Sequence, residues 1–275
     1  MKKTAMFIVF AVLFCSICIG DELDPTQDPN ICDCNCVCEA LEPLPIAYLF
    51  EDFNDSFSLN WHILGEDPLY WSLETVPGAL TIRTQTGSFE FSYTDYKNVF
   101  LIDFPVSQLL DFQITTCISN CKPRDSWNQA GLLLWNDEDN YLKFVYEYGN
   151  DTPYGHGLLF TVGQQIYGDS YFNWYLTEQT PQTMWLRIIK RGEVYEFYNS
   201  TDGETFLPLE LFRGFAYFDN EENVFPCLPE PINNIGIFAS NGTAIDTLEI
   251  NASFEYFEFM TLPVEPNMPE DPNEN

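Results

Sequence analysis

The chain predicts an all-β protein, a sandwich of two antiparallel sheets, and three observations carry that expectation. The first is Gln129–Tyr148, QAGLLLWNDEDNYLKFVYEY, which reads as two strands joined by an acidic turn. In its second half Leu142, Phe144 and Tyr146 alternate against Lys143, Val145 and Glu147, the pattern of a strand with two different faces. The second is the ring content: 24 Phe, 15 Tyr and 6 Trp are residues suited to the inner faces of stacked sheets. The third is punctuation. Turn signals recur at Pro77-Gly78, Thr86-Gly87-Ser88, Asn150–Pro153, Arg191-Gly192-Glu193 and Asp202-Gly203, and no segment shows a convincing helical period.

In chain order, residues 1–20 read as a secretory signal peptide. Lys2 and Lys3 open it, Thr4–Ile19 is its apolar core, and the small Cys18 and Gly20 precede cleavage before Asp21. The apolar run is shorter than the roughly 20 residues a bilayer requires, so export without membrane insertion is expected. Residues 21–45 form an acidic leader rich in Pro and Cys. Residues 46–260 form one β-sandwich domain, and 261–275, TLPVEPNMPEDPNEN, a tail too polar to order itself. Within the body, strands are expected at Tyr48–Phe53, Leu69–Glu74, Ala79–Thr84, Phe89–Tyr93, Val99–Phe104, Asp111–Ser119, Gly131–Trp135 and Tyr141–Tyr148. Further strands are expected at Gly157–Val162, Trp185–Lys190, Val194–Tyr198, Ile235–Ala239 and Ser253–Met260. The stretch Gly214–Pro231, acidic and bounded by proline, reads as a surface excursion or a covering loop.

Charge and cysteines narrow the setting. A net charge of −31 repels nucleic acid and anionic lipid, so neither is an expected partner. Seven cysteines follow the signal peptide: Cys32, Cys34, Cys36 and Cys38 in one cluster, then Cys117, Cys121 and Cys227. In an oxidising compartment they are expected as disulfides, either Cys117–Cys121 closing a small loop or ties from the cluster to the body. The odd number leaves a thiol for linking chains, and Cys-X-Cys spacing also suits a thiolate metal site. Sequons at Asn54, Asn150, Asn199, Asn241 and Asn251 fit an exported glycoprotein.

The order of the body's segments has a family resemblance. Phe50-Glu-Asp-Phe-Asn with Trp61, then Trp71 and Pro77-Gly78-Ala79-Leu80, lead into Gln129-Ala-Gly-Leu-Leu-Leu-Trp and Asp139-Asn-Tyr-Leu-Lys. Trp185-Leu-Arg-Ile, Asp202-Gly203, Ile235-Gly-Ile-Phe-Ala and Phe254-Glu-Tyr-Phe close the series. Across Phe50–Met260 this resembles the concanavalin A-like β-sandwich found as the C-terminal domain of some β-xylosidases and as the domain of unknown function 1349. The resemblance implies a concanavalin A-like jelly roll of two antiparallel sheets with a carbohydrate-related role. In such enzymes the glycosidase residues lie on another domain, so a non-catalytic protein is expected. The cysteine leader, the Cys117–Cys121 segment and the Gly214–Pro231 loop depart from the pattern.

The residues themselves offer little catalysis. Retaining glycosidases need two carboxyl groups roughly 5–5.5 Å apart. Glu138–Asp139 sits in a turn, and Glu255 and Glu258, three apart on one strand, are expected on opposite faces. His62 and His156 lie in polar, turn-like settings, and no nucleophile elbow, phosphate loop or zinc-protease motif is present. Binding is the better expectation. Sugars stack on exposed rings, and Trp61, Tyr70, Trp71, Trp135, Tyr154, Trp174 and Tyr175 are flanked by polar residues; Trp174 and Tyr175, read as a step between two loops, lead the set. Calcium is a further candidate, at Asp52, Asn54 and Asp55 or at Asp137–Asn140. The expected function is thus a secreted protein binding carbohydrate or glycoprotein. The alternatives are a coat or matrix protein cross-linked through its N-terminal cysteines, and a divergent glycoside hydrolase.

Overall fold

The computed structural model describes residues 47–104, 110–152, 155–192, 194–209 and 232–263. The chain divides at Ile46/Ala47 into two units. The first unit lies outside the described residues, and so do Cys32, Cys34, Cys36, Cys38, Tyr154, Cys227 and the end of the tail.

The body is almost wholly strand: β1 (Tyr48–Glu51), β2 (His62–Leu64), β3 (Trp71–Val76), β4 (Ala79–Arg83), β5 (Val99–Asp103), β6 (Phe112–Ser119), β7 (Gln129–Asp137) and β8 (Asn140–Thr152) come first. They are followed by β9 (Gly155–Ile166), β10 (Asp169–Thr177), β11 (Thr183–Arg191), β12 (Val194–Ser200), β13 (Leu207–Pro208), β14 (Asn234–Ser240) and β15 (Asn251–Thr261). They form two antiparallel sheets. One runs β13-β12-β11-β6-β15-β4-β3, with β1 also paired to β15; the other runs β10-β9-β8-β7-β14-β5-β2. Alternation sends one set of side chains from each sheet into the shared interior. Ile114, Ile118, Leu186, Ile188, Phe254, Phe257 and Phe259 come from the first sheet, and Phe100, Leu132, Leu134, Leu142, Phe144, Val162 and Ile237 from the second.

Three local expectations are corrected. Phe89–Tyr93 is not a strand: Glu90–Ser92 is a 3-10 turn, within a loop that lies over the outer face of the second sheet. The reason is Phe89, whose ring inserts among Trp135, Tyr141 and Phe238 at centroid distances of 5.3, 4.8 and 5.0 Å. These rings, with Val99, Leu101, Leu133 and Val145, form a second, smaller core on that outer face. Second, Trp174 and Tyr175 stand within β10, a full strand paired to β9, rather than between loops. Third, Glu255 and Glu258 share a face. The register of β15 against β6 shifts between Phe254 and Tyr256, a bulge that inserts one residue and reverses the parity. Phe254 and Phe257 accordingly both enter the core, while Glu255 and Glu258 both face outward.

Cys117 and Cys121 do not bridge; both thiols are free. Cys117 Sγ donates to Glu255 Oε2 at 3.4 Å on the outer side of β6, whereas Cys121 belongs to the main core. Burial pushes both thiols up, Cys121 to about 12, which makes them poor nucleophiles. Two sequons are also corrected. Asn241 is 1% exposed and its Oδ1 accepts a bond from Asn128 Nδ2 at 2.8 Å, and Asn199 is buried on β12, so neither can carry a glycan in the folded protein. Asn54 and Asn251 are exposed, and the Asn150 amide donates to Ser126 Oγ.

Candidate functional site

Beside the second core, the outer face of the second sheet turns polar and opens into a cavity of about 580 Å³, within the range of roughly 300–1,000 Å³ common for small-molecule sites. Strand alternation on β8 supplies Lys143 and Glu147, with Thr161 opposite on β9 and Phe172 and Trp174 on β10. Three loops complete the wall with Glu90 and Phe91, Trp127, and Gly242 and Thr243; the β9–β10 turn adds Gly168, and the start of β10 adds Asp169 and Ser170.

The rings form a continuous surface. Phe172 and Trp174, two apart on one face of β10, stack at 5.6 Å with planes 16° apart, and Phe91 lies 5.9 Å from Phe172. Phe91 is 62% exposed and held at a φ of 54°, a left-handed conformation that a bulky side chain adopts only under constraint. The constraint is Gln165, whose Oε1 accepts the Phe91 N–H at 3.0 Å. Trp127, on the opposite rim, has the same unusual backbone at a φ of 61°. Gly163 makes the room: a Cβ there would lie 2.8 Å from Lys143 Cε and 2.9 Å from a Phe172 ring carbon.

Beneath the rings lies a buried polar group. Lys143, 1% exposed, donates from Nζ to Gln129 Oε1 at 2.8 Å, forms an ion pair with Glu90, and lies 5.7 Å from the Phe172 ring centroid. Glu147, also 1% exposed, accepts a bond from Thr161 Oγ1 at 2.7 Å on Oε1; its Oε2 has no hydrogen-bond partner. Burial raises the Glu147 pKa and Glu90's charge adds to the rise, while Lys143 and Thr161 oppose it. The folded state therefore holds this proton more tightly than the unfolded chain, whose carboxyl titrates near the ordinary value of 4.5. The resulting stabilisation is complete below that value and is lost as pH rises through the folded value. Relative to Glu147→Gln, the wild type should lose stability as pH rises above 4.5, read by urea unfolding at stepped pH. A difference that stays flat with pH would contradict this.

The cavity contains one of the rings expected from sequence and excludes most of the others. Trp174 lines it. Tyr175, the next residue on β10, packs against the main core. Trp135, 4% exposed, lies under Phe89 in the second core and cannot stack a sugar. Trp61 packs on Phe53, Phe100 and Phe257 with its Nε1 donating to Glu51 Oε2 at 3.0 Å, and Trp71 packs on Phe57 and Phe100. Tyr70 is covered by the Arg83 guanidinium at 4.0 Å. The acidic candidates for calcium make turns: Asp52 Oδ1 accepts the Asn54 N–H, and Asp137 Oδ1 accepts from Asp139 N and Asn140 Nδ2. Among the described residues no group of three or more His, Cys, Asp and Glu gathers as a metal site. The carboxyl groups that do converge, Glu90 and Glu147, were not candidates from sequence. The alternation of Lys143, Val145 and Glu147 was the available signal, since a strand face carrying charge in a buried setting calls for a partner.

Two antiparallel sheets packed face to face, with a ligand-sized cavity on the outer side of one, define a concanavalin A-like β-sandwich. The family model described as "Protein of unknown function (DUF1349)" matches residues 66–259, and the chain belongs to that family. Among solved structures it is similar to a mutant of the GH43 protein BlXynB from Bacillus licheniformis, at 21% identity and a TM-score of 0.60 over 78% of this chain and 39% of that one. It is similar also to the xylan β-1,4-xylosidase from Bacillus halodurans, at 16% identity and a TM-score of 0.54 over 76% of this chain and 38% of that one. The chain thus spans about two-fifths of these proteins, and the likeness is one of fold. No curated protein sequence matches it.

Proposed function

We propose that the protein is a secreted, non-catalytic saccharide-binding β-sandwich whose ligand occupies the cavity between β8, β9, β10 and the Phe89–Tyr96 loop. One observation carries the reading: a stacked aromatic pair, Phe172 and Trp174, stands beside a buried carboxyl group with an unused acceptor. Sugars present apolar C–H faces to rings and hydroxyls to such acceptors. The N-terminal apolar segment and the exposed sequons at Asn54 and Asn251 support export.

The test is a glycan array with the mature chain, followed by calorimetry on the glycans retained. Trp174→Ala should weaken binding about tenfold or more, since a central aromatic anchor contributes at least that much, with its thermal midpoint little changed. An array on which the wild type retains nothing would remove the reading.

One observation favours a second reading. Three carboxyl groups, those of Glu90, Glu147 and Asp169, line one cavity, and the pKa of Glu147 is raised, the environment that general-acid chemistry uses. In a divergent hydrolase, xylo- or gluco-oligosaccharides would be cleaved by the wild type and spared by Glu147→Gln. Glu90 argues for binding instead, because its carboxylate is committed to Lys143.

A further inference from the structure

We propose that Glu147 is the specificity-determining group of this cavity: its Oε2 accepts a hydrogen bond from a hydroxyl or ammonium group of a non-acidic saccharide, and the surrounding acids exclude sugars that carry a carboxylate. The inference rests on the saccharide reading above and adds to it the chemical class of the ligand.

The geometry is asymmetric. One Glu147 oxygen is engaged by Thr161, and the other is buried with no partner, on a side chain that is 1% exposed and borders the cavity. A buried acceptor left unmet costs free energy in the empty site, and a ligand that brings a donor recovers it. A carboxylate oxygen only accepts, so the matching ligand atom must carry a hydrogen. Thr161 is itself held by Glu147, and Val145 lies between Lys143 and Glu147 on their strand face, so the orientation of the carboxyl is set by the protein rather than by the ligand.

Charge supplies the exclusion. The titratable groups among the residues lining the cavity are Glu90 from the covering loop, Lys143 and Glu147 from β8, and Asp169 from the start of β10. The single cation is already held by Glu90 and Gln129. A uronic or sialic acid would therefore place its carboxylate near three acids with no uncommitted cation among the lining residues, inside a chain whose net charge is −31. A hydroxyl meets no such repulsion, and an ammonium is attracted both by the carboxylates and by the faces of Phe172 and Trp174.

The experiment is an array of β-1,4-linked oligomers of glucose, glucosamine and glucuronic acid, together with a broad set of neutral, amino and sialylated glycans. It is probed with the full mature chain, Glu147→Gln and Trp174→Ala. The wild type should retain neutral or amino sugars and reject their acidic counterparts. Glu147→Gln keeps the shape but turns an amide toward the ligand, and should lose about tenfold or more in affinity for those sugars. Preference for glucosamine over glucose oligomers would assign the donor as ammonium, and the reverse would assign it as hydroxyl; either supports the inference. Acidic glycans bound as tightly as neutral ones would overturn it. So would Glu147→Gln binding like the wild type while Trp174→Ala fails, an outcome that leaves the saccharide site standing. A wild type that binds no glycan removes the site itself. Should Glu147→Gln fail to fold, the wild type's comparison of acidic with neutral oligomers decides alone.

Discussion

Replacing Lys143 with methionine should destabilise the fold by about 3–5 kcal/mol at pH 7, the cost of removing one partner from a buried charged group. Methionine keeps the stem of the side chain, so packing against Gly163 and Phe172 changes little. What is lost is the cation that Glu90 and Gln129 hold and that opposes the rise in Glu147's pKa. Three carboxyl groups, those of Glu90, Glu147 and Asp169, then face one cavity with no counter-ion among its lining residues. The destabilisation should shrink on acidification, because protonated carboxyl groups need no counter-ion. Urea unfolding at pH 7 and pH 4.5 measures both parts. An unchanged midpoint at pH 7 would mean that water reaches the site and screens these charges.

Phe100→Ala should cost about 3–5 kcal/mol, as truncations of buried aromatic rings do. Phe100 is fully buried on β5, with Phe57, Trp61 and Trp71 at 6.0, 6.4 and 5.5 Å. Removing its ring leaves three others facing a void that the surrounding strands cannot close without breaking their pairing. Guanidinium unfolding gives the magnitude, and the emission of Trp61 and Trp71 should move to the red as water enters. A loss below 1 kcal/mol would show that this end of the sandwich is loosely packed. Glycan binding at the distant cavity should survive at temperatures where the variant is folded, which separates the packing role of Trp61 and Trp71 from the ligand role of Trp174.

Trp61, Trp71 and Trp135 have polar neighbours in the chain, but neighbours in a strand point the other way and say nothing about what covers a ring. Trp135 is covered by Phe89, which lies far before it in sequence and only turns inward because its loop crosses the outer face of the second sheet. Trp174 borders the cavity from within a strand. Its exposure comes from the position of β10 at the sheet edge and from the opening beside it, not from lying between loops. Glu255 and Glu258 show the same limit, since a single inserted residue in β15 reverses the parity that spacing implies.

The chain's own composition and alternation determined that it forms strands, where most of them lie, and which residues of β8 divide into an apolar and a polar set. Those properties depend on adjacent residues and a period of two, so they are legible locally. The tertiary structure alone decided that Glu90 meets Lys143 from 53 positions away, that Gly163 clears space for both Lys143 and Phe172, and that Glu147 keeps one oxygen unmet. Such meetings depend on sheet order and on the path of a loop across a face, and burial then gives each charge a weight it would not have in water.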